Sequence, residues 1–139
     1  MARLHLLIGL ISLAAFLASG QYMDLCYDHL RGLDDATRML FRSTHIYLLF
    51  TALLNLVLGV YLPAASPGWR CWLQRTGSLF LLAAPLLLGV AFLTEPWLTG
   101  LERPYTQPAV IGCLVGVLLH VLSRIPRRPL RGASPVAAQ

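Results

Sequence analysis

Four histidines, His5, His29, His45 and His120, are the side chains of this sequence best suited to bind or transfer something. Three of them lie in or beside strongly apolar segments, where an ionisable residue is a functional candidate by default. Gly9 stands four residues after His5, and Gly116 four residues before His120. One helical turn from each imidazole, the helix face is therefore bare. Imidazole ligates haem iron, and a flat macrocycle needs that clearance. A b-type haem held by His5 and His120, in an electron carrier or an assembly factor, is one reading of the pair. The competing reading is that each ring bonds a nearby carbonyl or hydroxyl and orders its helix end. We favour the second, because electron carriers need a chain of sites and only one pair is visible. His45, next to Arg42 and Ser43, is expected to order a helix boundary; His29 falls in a polar connector.

Other chemistry is sparse. The sequence has no P-loop, no H-E-x-x-H, no G-x-S-x-G and no paired nucleophile and base. Cys26, Cys71 and Cys113 lack C-x-x-C spacing, so neither a zinc site nor a disulfide framework is expected. Proton-coupled transporters usually carry an acid or a base in the pathway, yet no Asp, Glu or Arg falls inside an apolar segment. The expectation is a chain without catalytic residues or a metal site, not an enzyme.

The elements that must position these residues are four apolar segments, at about 4–23, 44–62, 76–94 and 108–125. Each approaches the roughly 20 residues a helix needs to cross a hydrocarbon core. Only 12% of the 139 residues are charged and 57% are hydrophobic, about half the charge of a soluble domain. Lipid is then the expected solvent, and helix the default structure, because every backbone polar group must find an internal partner there. Pro63 and Pro67 stop the second helix, and Pro96 follows the third. Pro108 opens the fourth, and Pro126 and Pro129 close it. Pro85 should kink the third.

The expected fold is all-α: a membrane-spanning four-helix bundle over residues 1–126, with a short outer interfacial helix. That helix is placed in 24–42, where Met23, Tyr27, Leu30 and Leu33 recur at helical spacing; Asp34 is expected to cap a further helix that runs through Ala36, Arg38 and Arg42 into the second span, which then protrudes. The tail 127–139, rich in Pro, Arg, Ala and Ser, is expected to be a disordered basic cytoplasmic segment. Small residues near Ala18, Ser19 and Gly20 also fit a cleaved signal peptide, but the apolar run is long for one, and retention is expected.

Orientation follows from the arginines, which supply all of the Lys+Arg content. Arg3, Arg70, Arg75, Arg124, Arg127, Arg128 and Arg131 fall on one side. Arg31, Arg38, Arg42 and Arg103 fall on the other. The positive-inside rule then puts both termini in the cytoplasm. The net charge of +5 suits anionic lipid head groups rather than nucleic acid. Tyr22, Tyr27, Tyr47, Trp97 and Tyr105 form the expected outer aromatic belt, and Tyr61, Trp69 and Trp72 the inner one.

Leucine does not drive helices together in lipid; small residues that allow close approach and polar residues that hydrogen-bond do. The stripes are His5, Gly9, Ser12, Phe16 and Ser19 in the first helix, and Thr44, Leu48, Thr51, Asn55 and Gly59 in the second. The third carries Gly77, Ala84 and Gly89, and the fourth Gly112, Gly116, His120 and Ser123. Gly9, Ser12, Asn55, Gly59, Gly112 and Gly116 are the expected packing residues, and Gly112 with Gly116 forms a G-x-x-x-G pair. Asn55 should act as glue between helices.

The runs Gly20-Gln21-Tyr22-Met23, Leu30-Arg31-Gly32 and Arg38-Met39-Leu40-Phe41-Arg42-Ser43 lead into His45-Ile46-Tyr47. With Leu53-Leu54-Asn55-Leu56 and Gly59-Val60-Tyr61-Leu62, they resemble small uncharacterised inner-membrane proteins of proteobacteria. The likeness covers the first half of the chain and implies a bacterial inner membrane and four spans. It implies no activity. The expected role is non-enzymatic: association with itself or with a larger membrane complex. A haem protein is the first alternative. A small transporter, needing a polar cavity around Thr51 and Asn55, is the second.

Overall fold

In a computed structural model, residues 1–61, 68–98 and 100–125 are described. Pro63, Pro67, Pro126, Pro129 and the proposed tail 127–139 lie outside them. The described residues are all-helical, with four α-helices: α1 (Ala2–Tyr27), α2 (Asp35–Tyr61), α3 (Trp69–Thr94) and α4 (Thr106–Arg124). A 3-10 turn, Glu95–Trp97, extends α3. All four helices are long and apolar enough to cross a membrane. At 1.5 Å per residue, the 27 residues of α2 span roughly 40 Å, so α2 outruns a hydrocarbon core of about 30 Å.

Alternating directions bring Met1 and Ile125 to one end of the bundle, here the terminal end. The turn at 28–34 and the loop before α4 lie at the other, distal end. Antiparallel α1 and α2 form one tight pair and α3 and α4 another, joined chiefly where α2 meets α3.

The bundle is inside out relative to a soluble protein. Leu7, Leu10, Leu17, Phe50, Leu53, Leu79, Leu86, Leu114 and Leu118 are exposed on its flanks, whereas His5, Ser12, Thr44, Thr51, Asn55 and Ser78 are buried. The middle of the core is apolar, with Leu48, Leu81, Ala84, Leu88, Ala109 and Cys113 packed together. At the distal end the Phe41 ring lies edge to face or tilted within 6 Å of Tyr27, Phe92 and Trp97, and Tyr27 lies 5.9 Å from Trp97. Tyr61, Trp69 and Trp72 are exposed at the terminal end.

The separate interfacial helix expected in 24–42 does not form. Instead α1 runs on to Tyr27, and Asp28, His29 and Leu30 take left-handed backbone angles, φ 44, 58 and 67°. These reverse the chain, and α2 starts at Asp35. The apolar spacing that suggested a helix has another cause: Met23, Tyr27, Leu30 and Leu33 pack around Phe41 and Phe92. Left-handed angles cost a non-glycine residue roughly 1–2 kcal/mol each, and the burial of Leu30 in that cluster opposes the cost. Asp34 is the cap the sequence suggested. Its Oδ1 accepts from the Thr37 amide at 2.9 Å, and its Oδ2 accepts from the Thr37 hydroxyl at 2.7 Å. Those bonds, the hydroxyl's first, hold the Asp34 carboxyl below its ordinary range.

Candidate functional site

A polar cluster near the terminal end centres on Asn55, buried to 0% exposure. Its origin is Pro85. Proline has no N–H, so the carbonyl four residues earlier, Leu81 O, loses its intrahelical donor. Asn55 Nδ2 on α2 supplies the missing bond at 2.9 Å and also donates to Thr51 O at 2.9 Å. Both amide protons are thereby spent on carbonyls, which sets the orientation of the side chain. Asn55 Oδ1 then faces His5 Nδ1 at 2.7 Å. An amide oxygen only accepts, so His5 Nδ1 carries the proton and donates. One asparagine thus ties α1, α2 and the turn of α3 before Pro85 together. The sequence placed Asn55 near the middle of its span; α2 extends two turns further toward the distal end, which leaves Asn55 in the terminal third.

His5 and His120 are brought together. Their ring centres are 6.4 Å apart, with planes at 71°. His120 Nε2 lies 3.3 Å from Ser78 Oγ on α3, and Gln74 is buried on the same helix one turn before Ser78. Backbones approach closely here. A Cβ on Gly77 would lie 2.8 Å from Gly116 O, and one on Gly116 would lie 2.9 Å from Gly77 O. His5 has no exposed surface. A haem between His5 and His120 would have to part this packing, because no slot as wide as a macrocycle opens onto His5.

The remaining candidates fall as follows. Gly9 and Gly59 sit where α1 and α2 touch: a Cβ on Gly9 would meet Leu56 N at 2.8 Å, and one on Gly59 would meet Leu6 Cα at 2.7 Å. Ser12 is buried and donates to Ile8 O within its own helix at 2.7 Å. Gly112 is buried, but an added Cβ would only touch Phe80 at 3.5 Å. Only Gly116 of the G-x-x-x-G pair therefore makes a close approach, and it does so inside the chain. Thr51 donates to Leu48 O at 3.0 Å and is buried like Asn55. Asn55 is fully buried, and Thr51 also lines a groove between α2 and α4 that is almost wholly apolar. His45 Nδ1 lies 2.8 Å from Ser19 Oγ, and its ring stacks on Phe16 at 4.2 Å. Ser19 gives its own proton to Phe16 O at 2.8 Å, so His45 is the donor and clips α2 to α1 near the distal end. His29 pairs with Asp24 at 2.6 Å on the surface.

No protein-family model matches the chain, and no curated protein or solved structure matches it. What it does must be read from its own residues.

One of those residues escaped the sequence reading. Glu95 was placed beyond the third apolar segment, yet α3 and its 3-10 turn carry apolar helix through Trp97. Glu95 lies inside that stretch at 0% exposure. Its Oε1 accepts from the Tyr105 amide at 2.8 Å and the Thr106 amide at 2.7 Å. Its Oε2 accepts from the Thr106 hydroxyl at 2.6 Å. Glu95 is the missing cap of α4: amides at a helix start lack intrahelical partners and favour negative charge. The signal for it was an acid directly at the end of one apolar run, with Thr106 close to the start of the next.

Grooves among the described residues include two on the flanks. One, of about 420 Å³, runs between α2 and α4 and is lined by Tyr47, Phe50, Leu54, Cys113, Leu114 and Val117 among others. The second, of about 370 Å³, runs between α1 and α3 past Ala15, Ala18, Gly89 and Phe92. Both are almost wholly apolar.

Proposed function

We propose that this chain is a multi-pass protein of a bacterial inner membrane, with both termini cytoplasmic, and that it is a non-catalytic accessory subunit associating with itself or with a larger membrane complex. The observation that carries this reading is the division of labour between interior and flank. Several interior polar groups hold helices together: Asn55 on three helices, Glu95 on the start of α4, Ser19 and His45 on the α1–α2 pair. The flanks are continuous apolar surface. Gly9, Gly59, Gly77 and Gly116 lie against neighbours in the same chain, so we place the contact surface at the groove between α2 and α4. A photo-crosslinking residue in place of Phe50 or Leu114 should trap a defined adduct in native membranes, and one in place of Leu7 should not. Monomer alone at every position would remove the association reading.

The proposed orientation rests on the arginine count and has a built-in test. Cys26 is exposed near the distal end, Cys71 lies at the start of α3 at the terminal end, and Cys113 is buried; all three are free. In cells with a permeabilised outer membrane, a membrane-impermeant maleimide should modify Cys26 and spare Cys71 until the inner membrane is lysed. The reverse order would invert the topology.

A further inference from the structure

Among the described residues, two buried side-chain atoms lack a hydrogen-bond partner: Thr44 Oγ1 and His5 Nε2. They differ in kind. A threonine hydroxyl turns about its bonds and readily back-bonds to a carbonyl of its own helix. His5 has no such freedom. Asn55, held by Leu81 O and Thr51 O, compels the proton onto His5 Nδ1 and leaves Nε2 as a bare lone pair inside the bundle. Metal-binding histidines have this arrangement as a rule: the second ring nitrogen donates to a carbonyl oxygen, which sets the tautomer and aims the lone pair.

We propose that His5 Nε2 and a ring nitrogen of His120 bind a single soft monovalent metal ion, of the Cu(I) class, between α1 and α4. The spacing fits. Metal–nitrogen bonds of about 2 Å, with each nitrogen about 1 Å from its ring centre, put two imidazoles roughly 6 Å apart across a two-coordinate ion. The observed separation is 6.4 Å, and the 71° between the planes does not hinder such a bond. No group of three or more His, Cys, Asp or Glu gathers among the described residues, which disfavours zinc, an ion that takes four ligands. Copper accepts imidazole, and its monovalent form is content with two ligands in line. The surroundings also select low charge. Neutral imidazoles add none, so a monovalent ion leaves one charge to bury where a divalent ion would leave two. An ion, unlike a macrocycle, needs no slot open to the outside, which agrees with the full burial of His5. This inference does not depend on the association reading.

The full-length chain, purified in detergent without oxygen, is titrated with Cu(I) against a chromophoric Cu(I) chelator. One ion per chain is expected, and X-ray absorption of the loaded protein should show two nitrogen neighbours and no sulfur. His5→Gln and His120→Gln should each weaken binding by more than about tenfold; His29→Gln and His45→Gln should leave it unchanged. The proposal is overturned if the natural chain withdraws no copper, if sulfur appears among the neighbours, or if His5→Gln binds as the natural chain does. Should His5→Gln not fold, the absorption spectrum of the natural protein decides alone.

Discussion

Glu95→Ala is expected to lower the stability of the bundle by about 3 kcal/mol. Each buried donor left without a partner costs roughly 1–3 kcal/mol, and three are orphaned together: the Tyr105 amide, the Thr106 amide and the Thr106 hydroxyl. The sum is not the full threefold cost, because Tyr105 is partly exposed and water can reach its amide. Glu95→Gln separates charge from connectivity. Its carbonyl oxygen still serves both amides, and its NH₂ can donate to the Thr106 oxygen. What is lost is the charge at a helix start, worth about 1 kcal/mol. Denaturant titration in micelles, followed by circular dichroism, measures both variants. A Glu95→Ala curve superimposable on that of the natural chain would mean the carboxylate does not hold α4 in place.

The second large effect is expected at Gly59. A methyl group there would fall 2.7 Å from both Leu6 Cα and Leu6 N, backbone atoms that no rotamer change can move away. Overpacking of this kind costs typically about 1–3 kcal/mol, and Gly59→Ala should fall in the upper part of that range. Prying α1 off α2 also lengthens the 2.7 Å bond from His5 to Asn55. Gly9→Ala, whose methyl meets Leu56 N at 2.8 Å, should behave alike. Gly89→Ala is the contrast, since nothing lies within 4 Å of an added Cβ. Alanine is the better helix former by about 1 kcal/mol, so Gly89→Ala should be neutral or stabilising. The same titrations rank the three, and equal stabilities for Gly59→Ala and Gly89→Ala would show that the α1–α2 contact is loose.

Both effects depend on a distinction that runs through the whole bundle, between what a residue is and which residue it meets. Length and apolarity of the four runs were enough to place four helices, because any chain stretch in an apolar setting must satisfy its own backbone. Small and polar residues at helical spacing named the inward faces of α1 and α2, where His5, Gly9, Ser12 and Ser19, and Thr44, Leu48, Thr51 and Asn55, are buried; on α3 Gly77 and Ala84 are buried but Gly89 stands open. Asp34 was legible as a cap because capping acts over three residues of chain.

Tertiary structure decided the pairings. A stripe names a face and leaves its partner open, and four stripes can be matched in several ways. That Asn55 replaces the donor Pro85 lacks, that Gly116 meets Gly77 within the chain, and that Glu95 caps a helix starting eleven residues later are facts of approach between helices. The missing interfacial helix has the same cause. Spacing alone does not distinguish a short helix from a left-handed turn whose apolar residues bury against Phe41 and Phe92, because both place the same side chains on one side. Local periodicity is a property of one helix, whereas close packing and hydrogen bonding across helices depend on distances that only the folded chain sets.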